Sequence, residues 1–194
     1  MKRRKFLQQI STQTFAAAAA VTAFHGVGRC AASAESPAAW IDPTTAKDWQ
    51  ARWENFILAD SAKNRYCDTE MAEELGWLVS PFLNGFHYGY LATHDSKWVE
   101  RLVDWADSCI KRGVKEPDGY LGWPKVSDQT EGVDYDSMLG EAMILRPMVL
   151  MAAEILKTPA LKAQWGGKAH AYLDLAERTF EKWDSRDAWH DCQA

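Results

Sequence analysis

The sequence predicts an all-α fold built from helical hairpins, and three observations support this class. Hydrophobic residues recur at helical spacing, helices of two kinds alternate, and two segments resemble each other at a fixed offset. The chain has 194 residues, of which 47% are hydrophobic, so we expect one domain with a substantial core. The same composition excludes disordered, collagen-like and disulfide-scaffold proteins.

The first 34 residues predict an export signal. Arg3-Arg4 stands directly before Lys5-Phe6-Leu7, which resembles the twin-arginine signal of bacteria, and a short apolar stretch follows. Ala32-Ser33-Ala34 has the small-residue spacing after which a signal peptidase cleaves. We therefore expect residues 1–34 to be removed, which leaves 35–194 as a periplasmic or secreted domain. The twin-arginine translocase is the expected partner during export, and no stable membrane insertion is expected afterwards.

The charge pattern limits the partners of this domain. Five of the 22 basic residues lie in the export signal, and none of the 27 acidic residues does. The rest of the chain is therefore acidic, which argues against nucleic acid as a partner. No zinc spacing and no phosphate-binding loop occurs, so neither a metal nor a cofactor is expected. Cys67, Cys109 and Cys192 allow one disulfide at most, and buried thiols are the alternative.

The first three predicted helices alternate in character. Asp42-Pro43 marks a helix start, and apolar residues at helical spacing predict an amphipathic helix over 44–60. The segment 68–92 is apolar on every side, which is typical of a buried helix. Asp95 then caps a third helix, which is amphipathic and lies outside.

The second half of the chain repeats this order. A loop over 115–133 contains several glycines and prolines, and the segment 135–157 is again apolar nearly all round. Gly166-Gly167 is expected to break the chain before a fifth, amphipathic helix. Asp68 precedes Pro81 by thirteen residues, and Asp134 precedes Pro147 by the same distance. We therefore predict two similar hairpins, with a proline kink in the middle of each inner helix.

Buried inner helices that alternate with amphipathic outer ones, joined by aromatic-rich loops, resemble the α/α-toroid (six-hairpin) superfamily over residues 42–190. The resemblance implies an exported carbohydrate-active protein, either a polysaccharide lyase or a glycoside hydrolase. A closed ring needs about twelve helices, and this chain supplies five. We therefore expect a truncated product or a partial array completed by self-association. The alternative function is a non-catalytic module that binds glycans or protein partners, or an inactive fragment of such an enzyme.

The first candidate site lies at the predicted start of the second inner helix. Asp134 and Asp136 are candidates for the acid and base of glycoside cleavage, whereas capping of the helix is the structural alternative. Tyr120 and Trp123, with Asp118 nearby, form an aromatic pair between glycines. We expect this pair to bind the apolar face of a sugar ring, and packing over the end of the core is the alternative.

The second candidate site lies on the inner helices themselves. Asn84, His87 and Tyr88 are spaced i, i+3 and i+4, so they share a helical face, and Arg146 is expected to join them. The resemblance to toroid lyases implies that Asn84 and Arg146 bind the carboxylate of a uronic acid. It also implies that His87 and Tyr88 are catalytic and move the C5 proton. A polar cluster satisfied within a helical core is the alternative.

Overall fold

The computed structural model describes residues 43–126 and 134–188, and the predicted export signal and Cys192 lie outside these residues. The all-α fold is confirmed. Its helices are α1 (Pro43–Lys63), α2 (Ser80–Thr93), α3 (Lys97–Arg112), α4 (Met138–Lys157) and α5 (Pro159–Ser185). A 3₁₀ turn at Tyr66–Asp68 and a π-helical turn at Leu75–Val79 precede α2. No helix in the described part of the chain is both long and apolar enough to cross a bilayer.

Four two-residue strands form the connection between α3 and α4. The strand β1 (Val114–Lys115) pairs antiparallel with β2 (Leu121–Gly122), and β3 (Lys125–Val126) pairs antiparallel with β4 (Asp134–Tyr135). The first pair closes at Gly119, whose φ of 87° is a left-handed conformation that favours glycine. The described residues of the loop predicted over 115–133, together with Val114, Asp134 and Tyr135, thus form two short ribbons at one end of the helices.

The helices α2 and α4 pack side by side and run in the same direction. The Ser80 hydroxyl donates to the Met143 carbonyl at 2.9 Å, and further along Tyr90 Oη lies 3.5 Å from Thr158 Oγ1. Close approach depends on a missing side chain, because a Cβ atom at Gly140 would lie 2.1 Å from the Ala72 carbonyl oxygen. The start of α4 therefore touches the backbone of the turn at residues 72–73, which precedes α2.

The outer helices complete two hairpins with the same orientation. The helix α3 packs on α2, α5 packs on α4, and α1 packs on α2. Asp107 of α3 joins the two outer helices, since its carboxylate accepts from Lys168 Nζ at 2.6 Å and from Tyr172 Oη at 3.2 Å. The pairs α2–α3 and α4–α5 thus stand side by side, as the internal repeat predicts.

Large aromatic side chains fill the space between the layers. Trp98, Trp105 and Phe86 are fully buried, and the ring of Trp105 lies 4.7 Å from that of Phe82. Cys67 and Cys109 are buried free thiols, and burial raises the pKa of each to about 12. The expectation of buried thiols is therefore confirmed for this pair.

The structure corrects three details of the predicted helices. Asp68 ends a 3₁₀ turn, and Pro81 lies in the first turn of α2, directly after the π-helical turn at Leu75–Val79. Only Pro147 lies inside an inner helix. The helix α5 continues through Gly166 and Gly167 without a break. The packed turns on both sides of the two glycines keep this part of the chain helical. The inner helices are also not buried on every side, since Tyr88 is 50% exposed and Leu91 is 44% exposed.

Candidate functional site

A buried lysine lies at the end of the hairpins that carries the β-ribbons. The apolar face of α5 buries Leu161, Trp165, Ala169, Tyr172, Ala176 and Thr179 at helical spacing, and Lys182 continues this row with no exposed surface. A buried ammonium group needs partners of opposite charge. Lys182 is therefore the centre of an ion cluster.

Three carboxylates surround the Lys182 ammonium group. Its Nζ lies 2.5 Å from Glu141 Oε1 and 3.1 Å from Glu116 Oε2, and it also forms an ion pair with Asp136. The Leu121 carbonyl accepts a further bond at 3.1 Å. Glu141 is fully buried, and its second oxygen accepts from the Trp183 indole at 2.6 Å. The cluster thus joins α4, α5, the first ribbon and the loop before α4.

Arg186 extends this cluster to the tip of the first β-ribbon. Its guanidinium donates to Glu116 at 2.8 Å and to Asp118 at 2.6 Å. The Asp118 carboxylate in turn accepts from the backbone N–H of Tyr120 at 3.2 Å. The ribbon that bears Tyr120 is therefore fixed to the end of α5. We call Glu116, Asp118, Asp136, Glu141, Lys182 and Arg186 the ion cluster.

Burial and crowding of like charges give this cluster unusual proton affinities. Burial, together with the negative charge of Asp136, raises the pKa of Glu141 to about 7. Burial also acts to raise the pKa of Asp136, but the Lys182 ammonium outweighs it and the pKa is lowered. Burial opposes the charged form of Lys182, yet the neighbouring carboxylates raise its pKa. Glu141 is the member of the cluster that titrates near neutral pH.

This titration predicts a pH dependence of stability. Folded Glu141 holds its proton up to about pH 7, whereas an unfolded glutamate releases it near 4.5, so the contribution is fully present below 4.5 and is lost as the pH rises through 7. The free energy of unfolding should fall in this window by at most about 1.4 kcal/mol per pH unit. Glu141→Gln should remove that slope. Urea unfolding at several pH values tests this, and equal slopes in the two proteins would contradict it.

Asp136 lies one residue before the N-cap of α4, which is Ser137, whose hydroxyl accepts from Gly140 N at 3.1 Å. The Asp136 carboxylate is 6% exposed and accepts from the backbone N–H groups of Ser137 at 3.0 Å and Trp123 at 3.3 Å. Asp134 pairs with Val126 through the backbone of the second ribbon, and its carboxylate lies outside the described part of the structure. The described atoms give Asp136 a structural role as an ion-pair partner beside the N-cap of α4, and they bring no pair of open carboxylates together.

The fold places the two aromatic residues that were predicted to bind sugar in different environments. Trp123 has no exposed surface, its indole donates to the Cys109 carbonyl at 2.8 Å, and its own carbonyl accepts from Ala72 N. In this conformation its ring packs in the core and cannot contact a ligand. Tyr120 is half-buried and lines a cleft of about 510 Å³ between the first ribbon and α5. Asp118 lies at the ribbon tip and binds Arg186.

The second candidate site is brought together on one face of α2 and α4. Arg146 Nη1 donates to Asn84 Oδ1 at 2.7 Å, and the Asn84 amide donates to the Ser80 carbonyl at 2.9 Å. Tyr88 lies one turn along α2, with its ring centroid 5.8 Å from that of His87. Asn84, Tyr88, Leu91, Leu139 and Arg146 form what we call the inner-helix face.

The electrostatics of this face differ from those of the ion cluster. Arg146 is exposed, and no carboxylate of the described residues forms an ion pair with it. Its bond to Asn84 uses one of the five N–H donors of the guanidinium. The remaining donors are available to bind a carboxylate through two parallel hydrogen bonds. His87 is 5% exposed, with no partner for Nδ1, and burial lowers its pKa, so the imidazole is neutral at pH 7.

The ion cluster contains residues that the sequence reasoning missed. The sequence predicted no site role for Lys182, Arg186, Glu116 or Glu141. The signal was present, because Glu141 and Lys182 occupy positions on otherwise apolar helix faces. A charge at such a position predicts a buried partner of opposite sign.

Comparison with known proteins adds no family to this description. No protein-family model matches the chain, and no curated protein or solved structure matches it. Among the described residues, no group of three or more His, Cys, Asp and Glu side chains is arranged to hold a metal ion. Fold and site together define an all-α protein of two adjacent hairpins, with a buried ion cluster at one end and an open arginine on the inner-helix face.

Proposed function

We propose that the chain is part of an exported α/α-toroid-type protein that binds uronic-acid polysaccharide on the inner-helix face and cleaves it as a lyase. The observation that carries this proposal is the Asn84–Arg146 pair, which presents an arginine with free donors on an open surface. An arginine fork matches the geometry of a sugar carboxylate. The parallel arrangement of two similar hairpins supports the toroid assignment.

Each residue of this face has a separate task in the proposed reaction. Asn84 positions Arg146, because both ends of its amide are already bonded within the protein. Arg146 binds the carboxylate at C5 and stabilises the negative charge that develops there when the C5 proton leaves. His87 is neutral and adjacent to Tyr88, so the pair can take up this proton and return one to the departing O4. The products are a new reducing end and a sugar with a C4–C5 double bond.

The glycoside hydrolase alternative receives less support from the site. Hydrolysis needs two carboxylates that face the scissile bond. The oxygens of Asp136 are directed to Lys182 and to backbone N–H groups instead. We therefore favour elimination over hydrolysis.

A non-catalytic binding module is the second candidate, and the burial of His87 favours it. An imidazole that is 5% exposed contacts a sugar only after the helix surface rearranges. Binding through Arg146 and Tyr88 needs no such change. Trp49 and Phe56 of α1 are also exposed, by 65% and 71%, which supports the prediction that this partial array associates with itself.

Arg146→Gln tests the proposed function. We expect oligogalacturonate or oligoglucuronate to bind about 10–100-fold more weakly to this variant, because a charge-assisted hydrogen bond is lost. Titration followed through the backbone amide chemical shifts of α2 and α4 gives the affinity of this face, and ultraviolet absorbance of the unsaturated product gives turnover. Arg101→Gln is the matched control, since Arg101 is an exposed arginine on α3. Equal affinities in the parent and Arg146→Gln would contradict the proposal.

Tyr88→Phe separates the lyase from the binding module. We expect this variant to keep its affinity and to lose most turnover, because only the phenolic O–H is removed. If the parent itself binds acidic oligosaccharides and forms no unsaturated product, the binding module is the correct function. Neutral oligosaccharides of equal length provide the ligand control.

Export by the twin-arginine route is tested independently of the site. Replacing Arg3 and Arg4 by lysine should retain the precursor in the cytoplasm, because the paired arginines are the feature that the translocase recognises. Fractionation of cells followed by immunoblotting measures the distribution. Unchanged export of the double variant, or export through the general secretory route alone, would contradict the prediction.

A further inference from the structure

The cleft between the first β-ribbon and α5 combines an apolar floor with two cationic side chains. Leu121 and Leu175 contribute apolar surface, and the half-buried ring of Tyr120 lines the cleft. Lys115 and Arg178 line the same cleft and are exposed. Its volume of about 510 Å³ falls in the range typical of small-ligand sites.

The charges of this cleft favour a negatively charged ligand. Neither Lys115 nor Arg178 forms an ion pair with any residue that the structure describes. Asp174 also lines the cleft, so its lining contains two positively charged side chains and one negatively charged side chain. A local excess of positive charge is unusual in a chain whose mature part is acidic, and it attracts anions.

The wall that carries Tyr120 is held rigidly. Arg186 binds Asp118 and Glu116 on the two sides of the ribbon turn, and Lys182 binds the Leu121 carbonyl. The opposite wall is one face of α5, because Asp174, Leu175 and Arg178 lie within a single turn of that helix. Both walls therefore belong to elements joined by the ion cluster. A preorganised cleft loses little conformational entropy when a ligand binds.

We propose that this cleft is a second binding site, separate from the inner-helix face, for an acidic sugar residue such as a hexuronate. The flat ring of Tyr120 and the two leucines cover the apolar C–H face of the pyranose. Arg178 and Lys115 bind its carboxylate. The choice of a hexuronate rests on the proposed function, whereas the preference for an anionic ring follows from the cleft itself.

Chemical-shift mapping on the isotope-labelled full chain tests this site, with digalacturonate as the probe. We expect shifts of the backbone amides of residues 115–121 and 171–179. Arg178→Gln should weaken this binding about tenfold, because a charged hydrogen-bond donor is lost. Arg101→Gln should leave it unchanged. Tyr120→Phe should retain affinity and Tyr120→Leu should lose it, because the ring face and not the hydroxyl makes the contact.

The same experiment distinguishes failure of this site from failure of the proposed function. Arg146→Gln should abolish shifts on α2 and α4 and leave those at the cleft. Shifts confined to α2 and α4 in the parent would overturn the cleft proposal and leave the proposed function standing. Equal binding of a neutral disaccharide, or equal affinity for inorganic phosphate, would also overturn the cleft as an acidic-sugar site.

Discussion

Lys182→Met is expected to lower the free energy of unfolding by about 3–5 kcal/mol, because it leaves Glu141 without a counter-charge and leaves Arg186 as the cation for both Glu116 and Asp136. Glu141 and Lys182 have no exposed side-chain surface, and Glu116 and Asp136 keep only 12% and 6% of theirs. A water molecule in the vacated space would donate hydrogen bonds but would supply no positive charge. Denaturant unfolding monitored by circular dichroism measures the change.

The loss should also depend on pH. Burial and the charge of Asp136 raise the pKa of Glu141 to about 7, so at pH 5 that carboxyl is neutral and needs no counter-charge. The Lys182→Met variant should therefore be less destabilised at pH 5 than at pH 8. This trend distinguishes an electrostatic effect from a loss of packing, which would be the same at both pH values.

Lys168→Met is the matched control for Lys182. Lys168 lies on the same helix and pairs with Asp107 at 2.6 Å, but both side chains are more than a third exposed. Exposed ion pairs contribute about 0–1 kcal/mol. If both variants lose the same free energy, the ion cluster is not what joins the ribbons to α4 and α5.

The second large effect is expected at Gly140. A Cβ atom there would lie 2.1 Å from the carbonyl oxygen and 2.9 Å from the carbonyl carbon of Ala72, both of which are backbone atoms that cannot rotate away. Gly140→Ala should therefore push the start of α4 away from the turn at residues 72–73 that precedes α2, at a cost of about 1–3 kcal/mol or more. The thermal unfolding midpoint of the variant measures this cost.

Gly167→Ala is the control, and its expected effect on stability is opposite in sign. Gly167 also lies inside a helix, and nothing is within 4 Å of the position that its Cβ atom would take. Alanine there should stabilise the protein by about 0.5–1 kcal/mol, because glycine is the poorer helix former. Destabilisation by both substitutions would contradict the close packing of the start of α4 on the turn that precedes α2.

Sequence periodicity was sufficient to predict the class of fold and most helices. The row from Leu161 to Thr179 shows why, because an amphipathic helix repeats its apolar positions whatever it packs against. The boundaries before α2 were missed because the π-helical turn at Leu75–Val79 shifts the periodicity by a residue. The expectation that Gly166-Gly167 breaks the helix was wrong. The loss of helix stability from two glycines is smaller than the stabilisation that the packed turns around them provide.

Prediction of the site succeeded where contacts are local and failed where they are distant. Asn84, His87 and Tyr88 are on one helix, so their grouping follows from spacing alone. The bond from Arg146 to Asn84 joins two helices, and the internal repeat made that contact predictable. Tryptophan and aspartate are residue types that also occur in sugar-binding sites. The roles of Trp123 and Asp136 depend instead on contacts with Cys109 and Lys182, which are distant in sequence. Composition of a loop cannot distinguish a ligand contact from a core contact.

A crystal structure of the protein with a bound hexuronate oligosaccharide would show whether the inner-helix face binds acidic sugar. We expect a sugar carboxylate within hydrogen-bond distance of the Arg146 guanidinium, with Tyr88 against the same ring. An oligosaccharide bound with its carboxylate away from Arg146, or an inner-helix face that stays empty at saturating ligand, would contradict this expectation.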